Sequence, residues 1–227
     1  FFKQKTAYEI LIGLVGSGDV YKRQEDYGVK SGWGMFRVRG EIPALFTGEA
    51  DQRYLFFTDG QTQYLDKIDD QSNGFFVTKW TNLTDNGQTA SNTADGGVNT
   101  DYPLFRLADV YLMMAEAVVR GGTGSDRGTV LGYINELQRR AYGDDEHKIA
   151  DSDLTLDFLL KERARELYWE GHRRTDLIRY GMFTTDKYLW QWKGGEKGGT
   201  AVNSKYNIYP IPNTELTANP NLYNENY

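Results

Sequence analysis

The residues best suited to chemistry in this 227-residue sequence lie in one stretch, ERARELYWEGHRRTDLIRYG, which runs from Glu162 to Gly181. The stretch holds four carboxylates and five arginines. Charged groups at this density can act as acid–base catalysts, bind a ligand, or pair with one another inside a fold. The helix that carries them decides between these roles, because it sets which side chains share a face.

A single helix is predicted to run to Gly181, with Asp153 or Thr155 as its N-cap and Gly181 as its end. At 3.6 residues per turn, its apolar positions form one narrow stripe. The stripe contains Leu156, Leu160, Ala164, Leu167, Gly171 and Ile178. With Trp169 on the opposite side, this pattern indicates a helix that is covered on two sides.

The charged side chains that flank the stripe are therefore expected to pair in partial burial. Glu170 and Arg174 have the i,i+4 spacing of an ion pair, and Asp176 and Arg179 have the i,i+3 spacing. The sequence thus predicts a structural network rather than a catalytic one. Its expected members are Arg163, Glu166, Glu170, Arg174 and Asp176.

Two tryptophans are the candidate ligand-binding residues. Trp190 and Trp192 stand two positions apart in KYLWQWKGGEKGG, just before a glycine-rich stretch. On an extended backbone both rings would lie on one side, where they could stack on the faces of sugar rings. The alternative is structural: the rings would fill a gap between the charged helix and the C-terminal segment.

The sequence lacks the common motifs for metal and nucleophile chemistry. Its two histidines, His147 and His172, do not have the spacing of a zinc site. There is no Gly-x-Ser-x-Gly elbow and no phosphate-binding loop of the Walker type. The alternating acids of DSDLTLD, residues 151–157, lack the glycine and terminal glutamate of a calcium loop, so we interpret them as helix-capping residues. No catalytic residue, metal site or cofactor is expected.

The composition excludes further classes of protein. A net charge of −6 argues against binding to nucleic acid, which needs a basic face. The absence of cysteine excludes disulfides and thiolate metal sites. Aromatic residues make up 14% of the chain, which is typical of proteins that stack on sugars or fill long loops with rings.

The first 24 residues are expected to be foreign to the fold. FFKQKTAYEILIGLVGSGDVYKRQ resembles the translation of library adapters from short-read DNA sequencing, and its short apolar run lacks the features of a secretion signal. We therefore divide the chain into a non-native segment, residues 1–24, and one domain, residues 25–227.

The domain is predicted to be mainly α. Residues 25–100 are loop-rich, with one minor strand pair formed by RYLFFT and GFFVTKW. Apolar residues then recur at helical spacing after Pro103 and again from Val130 to Ala141, on either side of the glycine-rich GGTG. The two segments predict a helical hairpin of tetratricopeptide type, set among long irregular loops.

Several stretches, taken together and in order, resemble the C-terminal part of the SusD/RagB family, the glycan-binding outer-membrane lipoproteins of Bacteroidetes. They are GWGMFRVRGEIPALF, ADQRYLFFTDG, the Lys-Trp of FVTKW, DYPLFRLADVYLMMAEAV, ERARELYWEGHRRTDLIRYG and YPIPNTELTANPNLYNENY. The resemblance runs from about Trp33 to the last residue and implies a SusD-like fold. One departure lies in residues 224–227, which lack the proline of the family's closing motif.

The resemblance implies a non-enzymatic function: binding of an oligosaccharide, such as a starch-like glycan, within a TonB-dependent nutrient-uptake system. Its partners would be the glycan and the TonB-dependent outer-membrane transporter. It also implies a surface-exposed lipoprotein of the outer membrane, whose lipid anchor and N-terminal helices lie upstream of this chain. No family binding residue is carried over to this part, so Trp190 and Trp192 are candidates from the residues alone.

Two other functions remain open from the sequence. A tetratricopeptide-like adaptor would bind a protein partner in an apolar groove that continues past residues 103–142. A glycoside hydrolase fragment would place two carboxyl groups about 5–10 Å apart in a cleft.

Overall fold

The computed structural model describes residues 24–28, 36–46, 50–91 and 98–224. The expected non-native segment, residues 1–24, lies outside this part except for Gln24, where a 3-10 turn Gln24–Tyr27 begins. The chain divides into two compact units, residues 1–173 and residues 174–227, which are described separately. Within the described residues the architecture is mainly helical, with five α-helices and one two-stranded sheet, as predicted.

Before residue 107, the described part of the first unit consists mostly of loops that are organised around a short antiparallel sheet. Strand β1, Phe56–Phe57, pairs with strand β2, Phe76–Val77, in the register Phe56↔Val77 and Phe57↔Phe76. The predicted strand pair is confirmed, but each strand is only two residues long. An aromatic cluster packs beside this short sheet and stabilises it. In the cluster, the Phe46 ring contacts the rings of Tyr54 and Phe56 edge to face. The buried members of this cluster are Val38, Phe46, Phe56, Phe75, Val77 and Tyr168.

The predicted helical hairpin is confirmed by helices α1, Leu107–Val119, and α2, Arg127–Tyr142. The Asp126 side chain caps α2 by accepting from the Thr129 amide, and Gly143 ends it in the left-handed conformation. Helix α1 starts later than Pro103 suggested, because Arg106 still has extended backbone angles.

Helix α3, Leu156–Leu167, packs against the hairpin and completes the main core. The Thr155 hydroxyl caps it, as one of the two predicted N-caps, by accepting from the Phe158 amide at 3.1 Å. The core is made of small and branched apolar side chains from all three helices. Its buried members are Ala108, Leu112, Ala115, Val130, Ile134, Leu137, Leu154, Leu159 and Leu167.

The prediction of one continuous helix to Gly181 is wrong. Helix α3 ends at Leu167, and α4 is a separate short helix, Arg173–Arg179. Between them, Trp169 and Gly171 adopt positive φ angles of 64° and 80°, which a right-handed helix excludes. A helical periodicity that is extended through this break therefore assigns the positions after Leu167 to the wrong side. Gly171 is exposed, and Leu177 rather than Ile178 is buried in α4.

The second unit is mostly irregular. After α4 it contains the 3-10 turns Lys193–Gly195 and Ser204–Asn207, helix α5, Asn213–Ala218, and a last 3-10 turn, Pro220–Leu222. None of the helices in the described ranges is long and apolar enough to cross a membrane.

Candidate functional site

The second unit contains a cavity of about 690 Å³, within the range of about 300–1,000 Å³ that is typical of small-molecule sites. Its lining combines aromatic rings with two cationic side chains. The lining residues that matter most here are Arg174, Phe183, Trp190, Lys193, Tyr206 and Tyr209.

A glycine-rich turn shapes one side of this cavity. Trp192 and Gly194 both have positive φ angles, of 66° and 67°. A Cβ atom on Gly194 would lie 2.7 Å from Cγ2 of Thr200, so only glycine fits there. The Thr200 amide donates to the Lys193 carbonyl at 3.1 Å, which closes the turn.

The buried Lys193 side chain stabilises this turn through hydrogen bonds to backbone carbonyls. Its buried ammonium group donates to the carbonyls of Thr185 at 2.5 Å and Tyr188 at 2.8 Å, and it lies 4.6 Å from the Trp190 ring centroid. Burial lowers the pKa of Lys193, and Asp186 opposes that shift. Because two carbonyls occupy this ammonium group, its first role is to hold the loop.

Arg174, which lies in α4, has a similar structural role at the cavity. Its Nη2 donates to the Tyr206 carbonyl at 2.6 Å. The guanidinium carbon lies 3.9 Å from the Tyr209 ring centroid and 5.0 Å from that of Phe183. A guanidinium in contact with two rings and one carbonyl fixes the relative positions of these side chains.

Only one of the two candidate tryptophans lines the cavity. Trp190 lines the cavity, is half-buried, and stacks on Phe183 with centroids 5.7 Å apart. Trp192 is half-buried but does not line the cavity. The expected extended backbone is wrong at Trp192, which is left-handed because the glycine-rich turn starts there. The extended backbone on which the spacing of two would have put both rings on one side is therefore not present at Trp192.

The charged stretch belongs to a second, larger constellation in the first unit, which we call the ion-pair cluster. It consists of four buried carboxylates and the cations that surround them. The carboxylates belong to Asp51, Glu162, Glu166 and Glu170; the cations belong to Arg53, Lys79, Arg106, Arg140 and Arg165.

Glu166 is the most connected carboxylate of the ion-pair cluster. It pairs with Arg140 at 2.5 Å, with Arg106 at 3.0 Å and with Arg53 at 3.2 Å. Burial raises the pKa of Glu166, but the three guanidinium groups outweigh burial and hold that pKa below its usual range. Glu166 is therefore ionised at neutral pH and fully engaged.

Cations of the ion-pair cluster also cap the end of α3. Nζ of Lys79 donates to the carbonyls of Glu166 at 2.9 Å and Tyr168 at 3.1 Å, and it pairs with the Glu170 carboxylate. Nη2 of Arg106 donates to the Glu166 carbonyl at 3.1 Å. Positive charge at a helix C-terminus compensates both the free carbonyls and the helix dipole.

The predicted pairing within the charged stretch is right at one place and wrong at another. Asp176 pairs with Arg179 at 2.9 Å, as predicted. Glu170 is instead held by Lys79 and by Arg106 Nε at 2.8 Å. The predicted Glu170–Arg174 pair required one continuous helix, and the break after Leu167 removes that i,i+4 geometry.

Arg163, another arginine of the charged stretch, pairs with a residue of α1. Its Nη1 donates to Asp109 of α1 at 2.7 Å, and both residues are buried. This pair ties α3 to the hairpin, a contact that local spacing cannot reveal because 54 positions separate the two residues.

Most partners of the network were missed from the sequence. Asp51 lies in the part predicted to be loop-rich, Arg53 and Lys79 lie in the predicted strand pair, and Arg106 lies in the segment predicted to start the first helix. None of them was assigned to the network. The same holds for Tyr206 and Tyr209 of the cavity. A usable signal was the position of carboxylates beside the apolar stripe of α3, since acids that are buried with such a stripe need cations as partners.

The acidic stretch 151–157 folds as a 3-10 turn, Asp151–Asp153, followed by the Thr155 cap of α3. Over the described ranges, no group of three or more His, Asp or Glu side chains has an arrangement that could hold a metal ion.

Comparison with known proteins identifies close relatives. A family model described as the SusD family matches residues 24–227. The chain is 45% identical over 195 residues to the starch-binding protein SusD of Bacteroides thetaiotaomicron, which covers 85% of this chain and 32% of that protein. It is 34% identical over 122 residues to SusD-like protein P25 of Formosa agariphila, covering 52% and 22% of the two chains. The chain thus spans about one third of the first relative.

Solved structures agree with this fold. Surface glycan-binding protein A from Bacteroides thetaiotaomicron, in complex with laminarihexaose, matches with a TM-score of 0.65 and 25% identity, over 96% of this chain and 46% of that one. A SusD superfamily protein from Bacteroides vulgatus matches with a TM-score of 0.58 and 25% identity, over 82% and 38%.

Proposed function

Because this chain belongs to the SusD family, we propose that it is the C-terminal part of a longer protein that binds an oligosaccharide without cleaving it. The observation that carries the proposal is the 45% identity, over 85% of this chain, to a protein named as starch-binding. A structural relative at 25% identity holds laminarihexaose, which supports the same class of ligand.

Chemistry within the first unit favours binding over hydrolysis. A glycosidase needs one carboxyl group that donates a proton and a second that acts as base or nucleophile. The carboxylates of Glu162, Glu166 and Glu170 are each paired with at least two cations, which occupy their oxygens. Their role in this proposal is to hold α3 in place.

The location and the partner are proposed from family membership. The full-length protein would be a surface-exposed lipoprotein of the outer membrane, anchored by a lipid upstream of this chain. It would pass its oligosaccharide to a TonB-dependent transporter.

Within this chain, the cavity of the second unit is the place where we propose contact with glycan. Its walls provide rings for stacking and polar side chains for hydroxyl groups, the usual combination in sugar sites. Trp190 would line this glycan site. Trp192 would support the site indirectly, because it starts the glycine-rich turn.

Isothermal titration of the full-length protein with maltohexaose and with laminarihexaose tests the proposal. We expect saturable binding of at least one of them and no release of reducing ends above a heat-inactivated control. Reducing-end release that depends on the folded protein would show an enzyme. Failure to bind either glycan, or larger fragments of starch and laminarin, would remove the proposed ligand class.

A further inference from the structure

The most exposed ring of the cavity belongs to Tyr209, whose surface is 72% accessible. One face of this ring is covered by the guanidinium of Arg174, at 3.9 Å from the centroid. Because the residue is so exposed, the opposite face is turned towards solvent. A flat ring with one supported and one open face has the form of a stacking surface.

This ring is held in place before any ligand arrives. Arg174 is itself fixed by Phe183 and by its bond to the Tyr206 carbonyl. Two prolines, Pro210 and Pro212, follow Tyr209 and restrict the backbone on its C-terminal side. A preorganised ring loses little conformational entropy on binding, which favours affinity.

Trp190 is less suited to the same task. Its ring stacks on Phe183, lies 6.1 Å from the Tyr188 ring, and has the Lys193 ammonium group 4.6 Å from its centroid. These contacts within the fold occupy part of the ring surface that a sugar would need.

We propose that Tyr209 is the stacking platform for one pyranose ring of a neutral oligosaccharide in this cavity. The inference rests on the proposed glycan-binding function and deepens it. The apolar C–H face of the sugar would lie on the open face of Tyr209. Arg174 and Asn203, which also line the cavity, carry donors that suit sugar hydroxyl groups.

The test compares four variants of the full-length protein by titration with maltohexaose and laminarihexaose, each with a thermal melt. Tyr209→Phe keeps the ring and should bind within about twofold of the unaltered protein. Tyr209→Ala and Tyr209→Leu should bind roughly 3- to 10-fold more weakly, since leucine keeps bulk beside Arg174 but has no flat face. Tyr223→Ala is the matched control: this tyrosine is 70% exposed but does not line the cavity, and its loss should leave affinity unchanged.

Nitration of the unaltered protein gives a second readout that needs no variant. Bound glycan should protect Tyr209 from tetranitromethane and leave Tyr223 as reactive as before. Unchanged affinity in Tyr209→Leu, or equal nitration of Tyr209 with and without saturating glycan, overturns the platform while the proposed function stands. Absence of glycan binding by the unaltered protein overturns both.

Discussion

Single carboxylates decide how the first unit is held together. Glu166 and Glu170 bring charge into a buried environment, and each is surrounded by cations from distant parts of the chain. A buried ion pair contributes little net stability when it is complete, because desolvation offsets attraction. Removal of only one partner of such a pair is costly, since the remaining charge stays buried without a counter-charge. The role of these side chains is therefore best measured by deleting one charge.

Replacement of Glu166 by glutamine should destabilise the protein by about 3–5 kcal/mol, because Arg53, Arg106 and Arg140 lose a shared counter-charge. The matched control is Asp157→Asn on the same helix, which removes the exposed Asp157–Lys161 pair and should cost below about 1 kcal/mol. Chemical denaturation of both variants provides the comparison. Equal losses in the two would contradict the buried network.

The same carboxylate predicts a pH dependence. Burial and the three guanidinium groups together leave the folded pKa of Glu166 below its value in the unfolded chain, about 4.3. The folded state thus binds fewer protons between these two pKa values, and this contribution to stability is lost as the pH falls through them.

We therefore expect the stability advantage of the unaltered protein over Glu166→Gln to be constant from pH 8 to about pH 5. It should shrink below about pH 4. Denaturation curves of the two proteins, measured in parallel at several pH values, give this difference directly. An advantage that grows on acidification would have the wrong sign for a lowered pKa.

Among the elements, the break between α3 and α4 has the largest consequences. It ends α3 at Leu167, where Lys79 and Arg106 can reach the free carbonyl of Glu166. It also frees Glu170 from a helical position, so that its carboxylate meets the same two cations. Local helix propensity does not favour continuation, because Gly171 lies in the break, and the tertiary contacts act in the same direction.

The break requires a left-handed residue at Gly171, which has a φ of 80°. Alanine there should cost about 1–2 kcal/mol, because a Cβ disfavours this conformation. Gly132 is the matched control. It is exposed within α2, an added Cβ there meets nothing within 4 Å, and Gly132→Ala should stabilise by about 0.5–1 kcal/mol. Thermal melts of the two variants should move in opposite directions; a stabilising Gly171→Ala would mean that the helix prefers to continue.

The molecule as a whole carries an apolar surface that its own described core does not use. The α1 face consists of Leu104, Phe105, Leu107, Val110 and Met113, all exposed. The opposite side of α1 lies in the core through Ala108, Leu112 and Ala115. A helix that is apolar on both sides is typical of one buried in a larger assembly.

The 227-residue chain should therefore bind a dye such as ANS while folded. Phe105 and Leu107 are 88% and 63% exposed, so replacing both by serine should reduce this fluorescence by about half or more with little change in melting temperature. Leu112→Ser, at a fully buried position, should lower the melting temperature sharply. Unchanged dye binding in the double variant would show that this surface is covered in solution.

Much of the architecture follows from periodicity and capping. The helices of the hairpin, the Thr155 cap and the stop at Gly143 are local features, each specified by residues within a few positions of one another. The strand pair was predicted from the composition of each strand, although Phe56 pairs with Val77 across a long connection. The order of motifs was enough to place the chain in its family. Local rules also predicted the Asp176–Arg179 pair, which lies within one turn of α4.

Ion pairs between residues that are distant in sequence could not be predicted from local patterns. The cations that hold Glu166 and Glu170 come from positions 26 to 113 residues away, so no spacing rule within one helix could name them. The cavity ring at Tyr209 and its support by Arg174 also depend on how a loop folds back. The sequence alone determined helices, caps and family, because these depend on neighbours along the chain. Only the tertiary structure decided which charges meet and where the long helix breaks, because burial of those charges favours partners in space over partners in sequence.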